Sequence, residues 1–149
     1  MNNRLDYAEI APDSLKAMME LEKYIAASGL DKIIFELVKT RASQINGCAY
    51  CLDMHTKDAR KIGETEQRLY LLNAWREAPF YSEKERAALE WTEALTLVAT
   101  HHISDELYEK VAAHFDKKEM VALTMAIVAI NGWNRLSIGF GAVAGTYNP

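Results

Sequence analysis

The amino-acid sequence predicts an all-α fold of about seven helices. Apolar residues recur at steps of three and four along most of the chain, as they do on one face of a helix. Runs rich in β-branched residues are rare, and none is flanked by hairpin turns. Breakers are few, with three prolines and seven glycines among 149 residues, and no linker divides the chain. We therefore expect a single domain over residues 1–149.

Capping residues set the boundaries of the predicted helices. Gly29 can supply a left-handed stop, Asp31 can cap the next helix, and Ser82 stands three residues before Glu85 in capping-box spacing. The last helix is apolar on most faces, which predicts a central or interfacial position. The predicted helices span residues 12–27, 31–47, 48–63, 64–78, 82–98 and 104–115, with the last beginning near 117.

Charge and hydropathy exclude several classes of partner. The net charge of −4 and the pI near 5.6 argue against nucleic acid or an anionic membrane. The N-terminus lacks the apolar core of a signal peptide, and the longest apolar stretch, Val121 to Ile130, is about half the ~20 residues that a membrane span needs. We expect a cytoplasmic protein. In that reducing compartment a cysteine pair is more typical of catalysis or metal binding than of a permanent structural disulfide.

The segment from Gly47 to His55 holds both cysteines, spaced C-x-x-C, and a histidine four residues after the second. On a helix that turns about 100° per residue, Cys48, Cys51 and His55 share one face. The helix N-terminus favours thiolate over thiol. His55 lies one turn from Cys51 and two from Cys48, which favours Cys51 as the base-activated thiol. Cys48 would condense with the Cys51 sulfenic acid to form a disulfide. Because Cys48 is expected to be the more accessible of the two, the external dithiol reductant would react with it.

Glu36 lies twelve residues before Cys48, inside an apolar run. A carboxylate in such a setting needs a partner if it is buried. A short turn at Gly47 would fold the preceding helix back and bring Glu36 toward Cys51 and His55. There it could orient the imidazole and take part in proton transfer.

Three other interpretations of the cysteine segment stay open at this point. The two cysteines and His55 are potential zinc ligands, with Glu36 or water as the fourth, although no second cysteine–histidine cluster exists. The pair could also be inert packing, or a non-enzymatic redox sensor or thiol-linked interaction site. The remaining histidines are expected at the surface or at helix caps: His101, His102 and His114. The tryptophans are expected in the core or at interfaces: Trp75, Trp91 and Trp133.

At these residues the sequence resembles the AhpD-like alkylhydroperoxidases of the carboxymuconolactone decarboxylase superfamily. The resemblance rests on Glu36, Cys48, Cys51 and His55 at matching spacing, and on the residues that flank them from Arg41 to Ala59. It implies a compact all-α homo-oligomer, often a trimer or hexamer. It also implies peroxide reduction with Cys51 as peroxidatic thiol, Cys48 as resolving thiol, and a Glu36–His55 proton relay. Electrons would come from a separate dithiol protein, with no bound cofactor or metal.

One position departs from the pattern of the family. The best-known peroxidase members carry a second histidine between the cysteines, where this chain has Tyr50. A phenol is a poor proton shuttle at neutral pH, so the departure predicts slower turnover or another substrate. The lactone decarboxylase branch does not use a C-x-x-C pair. The sequence therefore predicts a thiol peroxidase acting on hydrogen peroxide or small organic hydroperoxides.

Overall fold

The computed structural model describes residues 3–149, and these residues form α-helices and one 3₁₀ turn without a β-strand. The all-α prediction is confirmed. Residues 1 and 2, part of the N-terminus assessed for a signal peptide, lie outside the described residues. The helices are α1 Tyr7–Ile10, α2 Pro12–Ala27, α3 Lys32–Asn46, α4 Ala49–Lys61, α5 Glu66–Tyr70, a 3₁₀ helix Leu72–Ala74, α6 Glu83–Thr96, α7 Asp105–Ala112 and α8 Lys117–Phe140.

Most of the predicted boundaries are confirmed at the caps. The Asp31 carboxylate accepts hydrogen bonds from the backbone N–H groups of Ile33 and Ile34 at the start of α3. Ser82 forms the predicted capping box at the start of α6. The described residues contain eight α-helices rather than seven, because α1 is only four residues long and a single turn is too short to show apolar periodicity.

The predicted helix over 64–78 is wrong as a continuous element. Leu69, Leu72, Trp75 and Ala78 are all buried, and they follow one another at steps of three. On an α-helix, three such steps would turn the last side chain about 180° from the first. The chain instead ends α5 at Tyr70 and continues through the 3₁₀ turn and the turn that follows it, and all four side chains remain in the core.

Helices α3 and α8 form the centre of the molecule. Helix α3 packs against α4, α6 and α8, while α8 packs against α2, α3, α4 and α6. Their contact is made of small and branched side chains with no exposed surface, including Val38, Ala122, Leu123 and Ala126. The central position predicted for the last helix is confirmed. Because α3 crosses the interior, its polar residues are carried into the core.

Helix α8 is long and apolar enough to cross a membrane by length and composition alone. The helix has 24 residues and is therefore longer than the apolar stretch from Val121 to Ile130. Of its most apolar 18 residues, 44% are buried within the fold. Since it packs against four other helices, it is accounted for as the core helix of this fold.

Tyr81 should make the stability of the fold sensitive to alkaline pH. Its ring is 3% exposed, and its hydroxyl donates to the backbone carbonyl of Arg68. Burial raises the pKa of Tyr81 to about 12. The unfolded chain would ionise near about 10, so stability present below that pH is lost as the pH rises toward 12.

We expect Tyr81→Phe to lose less unfolding free energy than the wild type between roughly pH 8 and roughly pH 11. Urea unfolding at the two pH values measures the difference. Tyr70→Phe, at an exposed position, is the control and should keep the wild-type loss. An equal loss in Tyr81→Phe and wild type would contradict the assignment.

Candidate active site

Cys48 and Cys51 form a disulfide at the start of α4. Cys48 is the N-cap of the helix, and its Sγ accepts a hydrogen bond from the backbone N–H of Cys51 at 3.3 Å. The positive end of α4 therefore acts most directly on the Cys48 sulfur. Cys48 is 1% exposed and Cys51 3%, so both residues are buried in the disulfide form and Cys48 does not have the greater exposed fraction expected from the sequence.

Glu36 and His55 meet across the α3–α4 pair. Gly47 ends α3 in the left-handed conformation at φ 69°, and α4 then packs back along α3. The two side chains are buried, and His55 Nδ1 lies 2.9 Å from Glu36 Oε2. This confirms the predicted proximity. With Glu36 ionised, Nδ1–H donates to the carboxylate and Nε2 is left without a proton, which makes it available as a base.

A cavity of about 450 Å³ lies over Cys51, Glu36 and His55. Cys48 does not line it. Cys48 instead lines a second, smaller cavity of about 170 Å³ together with Arg4. The disulfide thus separates two openings, one at each sulfur. Apolar side chains from α2, α3, α4 and α8 make up much of the larger cavity: Leu15, Met19, Phe35, Met54 and Trp133.

Tyr50, the residue between the cysteines, lines both cavities, and so does Ser137 of α8. Tyr50 is half-buried and packs with the cluster of Cys48 and Cys51. The position at which the chain departs from the family pattern is therefore part of the wall between the two openings.

Asp58 joins this site, although the sequence analysis did not select it. Its carboxylate, the Glu36 carboxylate and the His55 imidazole offer ligand atoms that all lie within 4.8 Å of one another. Asp58 follows His55 by three residues, so helical spacing places it on the same face of α4 and could have revealed it.

The same three residues are where a cation could be held. One imidazole and two carboxylates form a donor set suited to a divalent ion. The zinc set considered from the sequence contained both cysteines, but in this structure their sulfurs are bonded to each other. The zinc interpretation based on the cysteines therefore does not fit the disulfide form of this protein.

A buried ion pair forms another part of the cavity wall. Lys39 Nζ donates to the two carboxylate oxygens of Glu22 at 2.6 and 2.7 Å, and Trp133 Nε1 donates to the same carboxylate at 2.7 Å. Burial lowers the pKa of Lys39, an effect that the Glu22 carboxylate opposes. The cluster joins α2, α3 and α8 beside the cavity. Lys39 follows directly on an apolar run, a signal that could have pointed to it.

The other histidines and two of the three tryptophans take their expected places, whereas Trp133 is half-buried and lines the cavity. His101 and His102 are exposed and His114 is half-buried, and none of the three lines the cavity over Cys51. Trp75 and Trp91 are buried in the core.

Comparisons with known proteins identify the family and the relatives of this chain. The model of the carboxymuconolactone decarboxylase family matches residues 12–94, which include all four of the residues selected from the sequence. The uncharacterized protein YdfG of Bacillus subtilis is 52% identical over 141 residues, covering 95% of this chain and 96% of that protein.

Two further relatives carry the AhpD name. A crystal structure of a protein of unknown function from Agrobacterium tumefaciens, provisionally described as an antioxidant defence protein AhpD, superposes with a TM-score of 0.93. It is 44% identical, with 98% of this chain and 100% of that chain covered. The alkyl hydroperoxide reductase AhpD of Streptomyces coelicolor is 44% identical over 57 residues, which are 36% of this chain and 32% of that protein.

The Lys39–Glu22 pair should be a large determinant of stability. Glu22→Gln keeps the shape and the hydrogen-bonding oxygen but leaves the buried Lys39 ammonium without a counter-charge. We expect a loss of about 3 kcal/mol in the free energy of unfolding, measured with urea. The control is Glu20→Gln, which breaks the exposed Lys23–Glu20 pair on the same helix and should cost less than about 1 kcal/mol. Equal losses in the two variants would contradict the prediction.

Proposed function

This chain belongs to the carboxymuconolactone decarboxylase family, on its AhpD-like side, and we propose that it is a thiol-dependent peroxidase. The single observation that carries the proposal is the Glu36–His55 pair, which lines the same cavity as Cys51. A base oriented by a buried carboxylate and placed beside a thiol is the arrangement that activates a sulfur nucleophile. The substrate is hydrogen peroxide or a small organic hydroperoxide.

The first step oxidises Cys51. His55 Nε2 takes the proton of the Cys51 thiol, and the resulting thiolate attacks one oxygen of the peroxide bond. A sulfur–oxygen bond forms as the oxygen–oxygen bond breaks. The departing alkoxide or hydroxide takes the proton from the imidazolium and leaves as alcohol or water. Cys51 becomes a sulfenic acid, and the peroxide has gained the two electrons that the sulfur lost.

The second step forms the disulfide present in the structure. The Cys48 thiolate attacks the Cys51 sulfur, and the sulfenic oxygen leaves as water after gaining a proton. The helix N-terminus supports this step, because its N–H groups stabilise a negative charge on Cys48. In this assignment the N-terminus of α4 stabilises the thiolate of the resolving residue, Cys48. His55 deprotonates the thiol of the peroxidatic residue, Cys51.

The third step returns the enzyme to its dithiol form. A thiolate of an external dithiol protein attacks Cys48 and displaces the Cys51 thiolate, and its second thiol then releases Cys48 as the reductant becomes a disulfide. The separate cavity at Cys48 supports an approach that leaves the peroxide cavity free. We further propose that the chain acts as one domain in a cytoplasmic homo-oligomer, a trimer or hexamer, as the family resemblance implies.

The lining of the larger cavity supports small organic hydroperoxides as substrates alongside hydrogen peroxide. The volume of about 450 Å³ exceeds what hydrogen peroxide requires, and aliphatic and aromatic side chains from four helices line it. Tyr50 adds a phenol hydroxyl to the residues that line this cavity.

The alternative is a redox sensor that forms the same disulfide without turnover. Steady-state peroxide consumption with dithiothreitol separates the two functions, since a sensor would consume one peroxide per chain and stop. We expect saturable turnover by the wild type and a loss of at least a hundredfold in Cys51→Ser. Cys48→Ser should still consume one peroxide and accumulate a sulfenic acid, detected by dimedone labelling and mass spectrometry. Full activity in Cys51→Ser would contradict the mechanism.

His55→Ala should slow the oxidation of Cys51 by about a hundredfold near neutral pH, and Glu36→Gln by about tenfold. The reason is loss of the base in the first variant and of its orienting carboxylate in the second. The measurement is single-turnover oxidation of the reduced protein. The difference in oxidation rate between these variants and the wild type should become smaller at strongly alkaline pH, where the Cys51 thiol deprotonates without a base. His102→Ala, at an exposed position, is the control. A wild-type rate in His55→Ala would remove the relay from the mechanism.

A further inference from the structure

We propose that Asp58 and Tyr147 are positioning residues of the active site, through which the C-terminal segment 143–149 holds a second carboxylate at the Glu36–His55 pair. The inference rests on the proposed function. In it, Asp58 stabilises the imidazolium that forms when His55 accepts the proton of Cys51, and Tyr147 holds Asp58 in place.

The C-terminal segment contacts the helix that carries the cysteines. The backbone N–H of Gly145 donates to Asp53 Oδ2 at 3.0 Å, and Lys57 Nζ donates to the backbone carbonyl of Tyr147 at 2.9 Å. The Tyr147 hydroxyl donates to Asp58 Oδ1 at 2.8 Å. The segment is thereby attached along one side of α4, adjacent to the face that bears Cys51 and His55.

Tyr147 is the anchor of this segment. Every other residue from 143 to 149 is exposed, whereas Tyr147 is half-buried. Burial and the neighbouring Asp58 carboxylate raise the pKa of Tyr147 to about 12. Tyr147 therefore remains a protonated hydrogen-bond donor throughout the neutral range, which suits a group that donates to the Asp58 carboxylate.

The surrounding charges give Asp58 its effect on the imidazolium. Glu36 and Asp58 are the carboxylates within 4.8 Å of His55 in the three-residue group. Lys39 also lines the cavity, but its ammonium is bound by both oxygens of Glu22. When His55 is protonated, its imidazolium therefore lies near two carboxylates. Among the described cavity-lining residues, no unpaired positive charge opposes it. In a half-buried site such a charge acts more strongly than it would in water.

The test measures oxidation by peroxide and reduction of the disulfide as two separate half-reactions. Asp58→Asn removes the charge while its amide oxygen can still accept from Tyr147, and Tyr147→Phe removes the hydrogen bond alone. We expect single-turnover oxidation by cumene hydroperoxide to slow about tenfold in Asp58→Asn and about threefold in Tyr147→Phe. Reduction of the disulfide by dithiothreitol should slow much less than oxidation does, because the reductant attacks Cys48, which does not line this cavity.

Matched substitutions elsewhere control for the chemistry of the changes. Asp105→Asn removes an exposed carboxylate at the start of α7 that lines neither cavity, and Tyr70→Phe removes an exposed hydroxyl. Both should oxidise at the wild-type rate. Asp58→Glu restores the charge and should recover most of the oxidation rate. A rate in Asp58→Asn equal to wild type, or a slowing of both half-reactions alike, would overturn the proposal.

Coupling between the two residues is a second requirement. If Tyr147 acts through Asp58, then the Asp58→Asn/Tyr147→Phe double variant should be no slower than Asp58→Asn. Effects that multiply would overturn the role assigned to Tyr147.

A thiol-specific readout distinguishes failure of this inference from failure of the proposed function. In a Cys48→Ser background, alkylation of Cys51 by iodoacetamide at neutral pH reports the supply of thiolate without any peroxide. Asp58→Asn should slow this alkylation severalfold. If the wild type fails to react with peroxide, the proposed function falls, while slowed alkylation still supports the role of Asp58. Unchanged alkylation in Asp58→Asn would overturn that role whatever the peroxide result.

Discussion

The reversal of the chain at Gly47 is the constraint on which the site depends. The glycine adopts a left-handed conformation, and the N–H groups of Gly47 and Cys48 bond back to carbonyls at the end of α3, those of Gln44 and Ser43. This turn makes Cys48 the N-cap of α4 and sends α4 back along α3. Glu36 then meets His55, although the two are separated by 19 residues. A longer connection would leave that register undetermined.

The second organising feature is the pairing of charge inside an apolar fold. Helix α3 carries Glu36 and Lys39 into the interior, one turn apart, and each is matched from a different helix. The Glu36 carboxylate is hydrogen-bonded by His55 of α4, and the Lys39 ammonium is ion-paired with Glu22 of α2. Buried charges are costly without such partners, so the folded arrangement of these helices around the cavity depends on both contacts. Stability and chemistry thus depend on the same helix.

The helices themselves could largely be predicted, because their signals are local. Caps such as Asp31 and Ser82 act within three residues, and apolar periodicity needs only a few turns to be visible. The failure over 64–78 has an equally physical origin. Apolar residues at steps of three are compatible with a helix when read alone, and only the position of the core shows that all four must face it. That information is absent from the segment.

The sequence by itself determined the all-α class, the C-x-x-C pair beside His55, and Glu36 as a carboxylate that needed a partner. Those features follow from spacing on one helix and from an unfavourable burial, which are visible along the chain. Only the tertiary structure decided that Cys48 and Cys51 face different cavities, that Glu22 neutralises Lys39, and that Asp58 meets Tyr147. The last pair is separated by 89 residues. Contacts of that kind form only after α4 and the C-terminal segment have been brought together, and no local pattern specifies them.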